Sequence, residues 1–460
     1  MTGLSTLRAC LLGTSCLLAA SAAHADTYNY DELGNVRQIQ NDKGVRTYTF
    51  DEVNRLKTES GLAGVRTHTY DPNSNRLNDG APSPTTASFA PASDRIATLN
   101  GVTVTLDAAG NLLGDGTYTY AWNDAGQLLS VSKAGQLVAK YYYDYKGRRT
   151  RKATTAIAPQ GAQVFVYHYD ASDHLIGETL GDATPLRTYV WLNDQPNAVI
   201  EHPALSTPQR TLYLQVDHLG TPRLAKDSTG KIQWRWDSDG YGSTAADEDP
   251  DGDGKKTTIN LRFAGQYYDV ESGLHYNWNR YYSPRLGRYI SSDPIGVEGG
   301  GNTYGYVGGT PLSYFDVLGL SPMSPTEIAQ IIKDNNHSPL SNEMVMCLMW
   351  QESGFDPDVE NDGARGLMQI RKNQALAQVN KKSGPFAWQD LFDPSTNTEV
   401  GTLYLNWVSQ RPGDLDRNIQ RRYGTGDDYP VAKMRQCEKC LQETCSKDGD
   451  VKKCLAKVHR

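Results

Sequence analysis

Three aromatic–aspartate pairs, Tyr30-Asp31, Phe50-Asp51 and Tyr70-Asp71, recur at an interval of twenty residues. Each is followed by a turn-forming run that ends on an aliphatic residue: ELGNV, EVNRL and PNSNRL. Looser copies follow at Leu106-Asp107, Trp122-Asn123, Tyr143-Asp144 and Tyr169-Asp170. A short fixed period restricts a chain to one supersecondary unit stacked on the next, because a single unit cannot bury its own apolar face. The unit here is β. Arg46-Thr47-Tyr48-Thr49-Phe50 alternates with period 2, and an aspartate with Gly or Asn close behind is turn chemistry. The spacing predicts stacked β-hairpins over residues 26–260.

The pattern stops near residue 320. Of the 27 tyrosines 24 precede residue 321, whereas six of the seven methionines follow it. A Tyr- and Gly-rich part reads as β and a Met-rich part as helix. The fold class is therefore multidomain, a β-rich part followed by an all-α part. The formal charge of −7 gives no support for nucleic-acid binding through bulk positive charge.

Residues 1–25 read as a secretory signal peptide. Arg8 gives the positive region, Ala9 to Ala20 the apolar stretch and Ala23-His24-Ala25 a small-x-small cleavage site. This predicts a secreted or periplasmic protein with no membrane span in the mature chain. Five cysteines then remain. Cys437, Cys440, Cys445 and Cys454 are candidates for disulfides, with three connectivities open and a zinc site as the rival. Cys347, in an apolar helical stretch, reads as a buried free thiol. Asp249, Asp251 and Asp253 resemble the start of a calcium loop, but Asn260 stands where a bidentate Glu is needed, so the run reads as a solvated acidic turn and no metal site is expected.

The repeats resemble the YD repeats of RHS proteins. Residues 261–320, from LRFAGQYYDVESGLHYN to SYFDVLGL, look like the RHS core segment that precedes a variable C-terminal toxin. Family shells form a spiralling β-sheet cocoon; the 26–320 stretch is short for one, so a partial or partner-completed shell is expected. The resemblance also implies self-cleavage after Leu320, with Asp293 of DPIGV, Asp316 of DVLGL and the upstream Arg288 as its residues. Val297 and Val317 depart from the family motif. Paired carboxylates can share a proton and activate water.

Beyond 320, Ser324-Pro325-Thr326-Glu327 is a capping box that starts a helix. A second helix is expected from about Ser341, with Met344, Val345, Leu348 and Met349 forming one buried stripe. Glu352 follows the stripe directly. A carboxyl at the end of a buried helix is a candidate general acid. The runs WQESGFDP, GARGLMQI and DLFDPSTNTEVGTLYLNW resemble, in order, the blocks of lysozyme-like soluble lytic transglycosylases over residues 321–436. That resemblance turns the helical part into a lysozyme-like α+β domain behind a β-repeat shell, and makes Glu352 the catalytic acid and Ser353, Met368, Gln369 and Tyr423 sugar-orienting residues. The last residues, 437–460, form a cysteine-rich helical tail outside it.

The implied protein is an exported RHS-type toxin that cleaves peptidoglycan between N-acetylmuramic acid and N-acetylglucosamine. It needs no cofactor and implies a cognate immunity protein. The rivals are a muramidase hydrolase, a housekeeping wall-remodelling enzyme and a non-catalytic glycan-binding or adhesive repeat protein.

Overall fold

The computed structural model describes residues 26–31, 35–61, 64–192, 195–202, 209–296, 301–320, 325–353, 360–361, 363–383, 385–392, 394–422 and 430–444. The leader-like segment 1–25, the caps at Ser324 and Gly354, Val297, Tyr423, Cys445 and Cys454 lie outside the described residues.

Thirteen strands, from Thr105–Leu106 to Ile232–Arg235, pair antiparallel in sequence order. A five-stranded sheet of the same kind, Thr27–Tyr30 to Gly64–Thr67, precedes them. Two smaller sheets lie between. Pairing with the sequence neighbour at every step is what stacked hairpins require.

The turns explain the repeat. In each copy the aspartate Oδ1 accepts the backbone N–H four residues on: Arg55 to Asp51 at 2.8 Å, Asn75 to Asp71 at 2.9 Å, Arg148 to Asp144 at 2.9 Å and His174 to Asp170 at 2.9 Å. Asn123 does the same for Gln127 at 2.9 Å. The side chain thus replaces a turn hydrogen bond that the backbone alone would leave open. The aromatic partner reaches back one repeat. Tyr70 Oη donates to the Leu56 carbonyl at 2.6 Å and Tyr143 Oη to that of Leu128 at 2.7 Å. Trp122 Nε1 donates to the Leu112 carbonyl at 2.7 Å.

The residue five places after each aspartate points inward. Val36, Leu56, Leu112 and Leu175 fill this place and are buried. In two copies the residue is arginine; in the first of them the pattern had pointed to the aliphatic Leu77. Arg76, rather than Leu77, is buried, over the Tyr241 ring at 4.1 Å. Arg149 is buried over Tyr276 at 4.4 Å and pairs with Asp269, Nη2 to Oδ1 at 3.0 Å. Lys152 Nζ reaches Asp269 at 2.9 Å and Glu271 at 3.2 Å. Burial acts to raise the Asp269 carboxyl, but Arg149 and Lys152 hold it below the usual carboxylate range.

Asp269 belongs to a four-stranded sheet, Tyr267–Asp269, Leu274–Asn277, Arg280–Ser283 and Arg288–Tyr289. Tyr267, Tyr276, Tyr281, Tyr282 and Tyr289 share one core with Leu128, Tyr141 and Val199 of the thirteen-stranded sheet. The 261–320 segment is therefore packed on the inward face of the repeats.

A separate core holds the C-terminal region. Its helices are α1 (Pro325–Asn335), α2 (Asn342–Ser353), α3 (Ala377–Asn380), α4 (Pro394–Ser409), α5 (Leu415–Arg422) and α6 (Val431–Thr444). The strands Glu360–Asn361, Ala364–Arg365 and Ile370–Arg371 form a small antiparallel sheet, so this region is helical with a β element and not all-α. The expected boundary at 436/437 falls inside α6, whose Met434, Cys437 and Leu441 belong to this core. The first part of the predicted tail is therefore integral to the domain. Cys347 of α2 is disulfide-bonded to Cys437 of α6, Cα–Cα 6.1 Å, and is not a free thiol. Cys440 is also disulfide-bonded. Among the described residues no helix is long and apolar enough to cross a membrane.

Candidate functional sites

Helix α2 begins where the Ser341 hydroxyl accepts the Met344 N–H at 3.1 Å, a side-chain N-cap. Its residues 344–349 are all buried. The stripe was legible, but Met346 and Cys347 are buried too, so α2 is enclosed on more than one face. Glu352 stands at its C-terminal end, half-buried.

The predicted sugar-orienting residues divide. Ser353 Oγ lies 3.1 Å from the Met349 carbonyl and 2.9 Å from that of Leu367, the two acceptors for its single proton, and so links the end of α2 to the GLMQ turn. Met368 is fully buried in the helical core, against Gly401. Gln369 is half-buried at φ 45°, in the left-handed region, and its backbone N–H closes the turn on the Gly366 carbonyl at 2.9 Å. A non-glycine residue held there signals a turn fixed by its surroundings. Tyr423 lies outside the described residues.

Asn397 fixes this turn. It is fully buried on α4. Its Oδ1 accepts the Met368 N–H at 2.7 Å, and its Nδ2 donates to the carbonyls of Arg365 and Leu391, both at 2.8 Å. Gly366 has φ 71°, and a side chain there would collide with Asn397. Asn397 lies in the DLFDPSTNTEVGTLYLNW run, but sequence reasoning did not single it out, because its partners Met368 and Arg365 lie 29 and 32 residues upstream.

The second site lies in the shell. Arg280, fully buried, bridges the two predicted aspartates: Nη1 to Asp293 Oδ2 at 2.9 Å and Nη2 to Asp316 Oδ2 at 3.3 Å. Arg288 does not face them. It donates to Asn75 Oδ1 at 2.8 Å and the Asp94 carbonyl at 2.6 Å, and so joins this segment to the early repeats. Arg280, and not Arg288, is thus the arginine that the fold brings to both aspartates. Burial, opposed by Arg280, pushes the Asp293 carboxyl up to about 6.

Asp316 receives the Leu320 N–H on Oδ1 at 3.0 Å. Arg280 Nε donates to the Gly319 carbonyl. Gly319 has φ 70° and lies against the Asn277 carbonyl with no room for a Cβ. The backbone of Gly319 and Leu320 is thus held by Arg280 and Asp316.

The acidic run closes a loop in which carboxylate oxygens of Asp249, Asp251 and Asp253 lie within 4.8 Å of one another. Lys231 Nζ sits on Asp251 at 2.8 Å, and Asn260 is turned away, donating to Tyr267 Oη at 2.9 Å.

The repeats, the inward plug of residues 261–320 and a separate helical core together make a β-repeat unit followed by a helical unit. Residues 14–299 match the Teneurin YD-shell family, and the chain belongs to that family. Residues 329–427 match the Transglycosylase SLT domain. Among its relatives is Toxin protein Tse5 of Pseudomonas aeruginosa, 31% identical over 263 residues, covering 50% of this chain and 19% of that protein. Another is Double-stranded DNA deaminase toxin A of Burkholderia cenocepacia, 29% identical over 228 residues, covering 45% of this chain and 16% of that one. The chain therefore spans less than a fifth of the length of either toxin. The crystal structure of TcdB2-TccC3 without its hypervariable C-terminal region has the same fold over 64% of this chain and 17% of its own, TM-score 0.53 at 23% identity.

Proposed function

We propose that the protein is an exported toxin of the shell-plus-effector kind whose C-terminal domain cleaves peptidoglycan glycan strands as a lytic transglycosylase. The observation that carries the reading is the junction of α2 with the GLMQ turn. Glu352 lies in the last turn of a helix whose residues 344–349 are buried, and its neighbour Ser353 is bonded to Leu367 of the turn. That junction holds one acid at a fixed place beside a shaped loop.

In the proposed reaction Glu352 protonates the oxygen leaving N-acetylmuramic acid. It then accepts the proton of that sugar's 6-hydroxyl as the hydroxyl closes a 1,6-anhydro ring. No water enters, so no second carboxylate is required, in contrast to hydrolytic glycosidases. Mass analysis of purified peptidoglycan digested with the full chain is expected to give anhydro-muropeptides. Reducing-end muropeptides alone would replace this reading with hydrolysis.

The shell's part is self-cleavage between Leu320 and Ser321. Ionised Asp316 takes a proton from water as the water adds to the Leu320 carbonyl, and Asp293 donates a proton to the departing Ser321 nitrogen. The products are a carboxylate on Leu320 and an amine on Ser321. Asp293 carries its proton below about pH 6. Cleavage is therefore expected to fall about tenfold per pH unit above that point. Intact-mass timing of fragment release across buffers measures it, and a rate that rises with alkalinity would remove Asp293 as the donor. Release of the effector from its shell, and an immunity protein that blocks the glycan cleft, complete the proposal.

A further inference from the structure

We propose that Tyr289 is a positioning residue for self-cleavage, its hydroxyl fixing the plane of the Asp316 carboxylate against the Leu320 backbone. This rests on the self-cleavage reading above.

The direction of the hydrogen bonds carries the inference. Asn277 Nδ2 donates to Tyr289 Oη at 2.7 Å and also to the Asp316 carbonyl at 2.8 Å. An amide N–H occupies a lone pair of the phenol oxygen, so the phenol's own proton must point elsewhere. It points to Asp316 Oδ2, at 2.6 Å. Burial and the adjacent Asp316 push the phenol far above its ordinary range, so it remains a donor. The Arg280 guanidinium lies 3.6 Å over the same ring.

The two oxygens of Asp316 are thereby divided. Oδ2 is held by Tyr289 and Arg280, and Oδ1 faces the Leu320 N–H. Rotation of the carboxylate would break both sets. Asn277, Tyr289 and Asp316 are all buried, so water cannot take over the phenol's role without entering the core. The charged and titratable groups that face Asp316 include Arg280, Tyr289, Asp293 and Tyr306, and of these Tyr289 is a neutral donor hydrogen-bonded to it.

Tyr289→Phe keeps the ring under Arg280 and removes only the hydroxyl. Without it the Asp316 carboxylate loses a hold on Oδ2 and is free to turn Oδ1 away from the Leu320 N–H. The experiment is full-length chain made by cell-free synthesis, with appearance of the Ser321-initiated fragment timed and thermal unfolding of the shell followed in parallel. Tyr289→Phe is expected to cut about tenfold more slowly while its unfolding temperature stays near the parent's. Asn277→Ser, which keeps the phenol but removes its backing amide, is expected to show a smaller loss of rate and serves if Tyr289→Phe does not fold. Wild-type chain that is never cut would overturn the self-cleavage reading itself. Wild-type cutting, with variants that match its rate or that slow only in step with lost stability, would overturn the positioning role alone.

Discussion

Glu352→Gln is expected to lower formation of anhydro-muropeptides on the order of 10²–10⁴-fold, the usual share of a general acid. The amide keeps the size and much of the packing of the acid but cannot protonate a leaving oxygen or take up the proton of the 6-hydroxyl. Both halves of the proposed reaction use this one side chain, so the loss falls on turnover rather than on binding. The fold should be little affected. Residues 344–349 bury the helix, and Ser353 ties its end to the turn. Thermal unfolding of the variant is therefore expected to stay near that of the parent, while binding to insoluble peptidoglycan persists. Equal clearing by parent and variant in a gel containing peptidoglycan would remove Glu352 as the acid. Ser353→Ala offers a contrast. It removes a bond that holds the turn, so it is expected to weaken both stability and turnover modestly, without the near-complete loss reserved for the proton carrier.

What could be read from the sequence was local. The aspartate of each repeat bonds the backbone four residues on, so its role is contained within one turn and its spacing gives the hairpins away. The buried stripe of α2 follows from helical periodicity in the same way. The failures are all long-range. Arg76 and Arg149 point inward because the plug supplies carbonyls, tyrosine rings and a carboxylate for them; nothing near them in sequence predicts that. Arg288 and Arg280 are the same residue type and both precede the aspartates, and only the packing of the plug decides which guanidinium meets both carboxylates. The burial of Met368 and the bonding of Ser353, on which the motif is silent, likewise depend on Gly401 and Leu367.

The same distinction applies to Cys347, which sits 90 residues from its partner Cys437. The bond pins α2, the helix that ends in Glu352, to α6. Closing a loop of that length removes conformational freedom from the unfolded chain by about 4–5 kcal/mol in the chain-entropy treatment. That is a large part of the about 5–15 kcal/mol that holds an ordinary domain folded. Cys437→Ala is therefore expected to shift unfolding of the C-terminal helices to markedly lower temperature and to reduce glycan cleavage at growth temperature. The shell is an internal control. Residues 26–320 contain no cysteine, so its unfolding should not respond to the substitution or to reductant. Differential scanning of the full chain, with and without reductant, separates the two responses. Addition of reductant to the parent should produce the Cys437→Ala behaviour or a stronger one, because Cys440 is bonded as well. If the helical transition is indifferent to both treatments, the disulfide is not what holds α2 in place. A positive result has a direct functional meaning. The effector would be weakly folded in a reducing cytoplasm and locked on arrival in an oxidising compartment, which is where its proposed substrate lies.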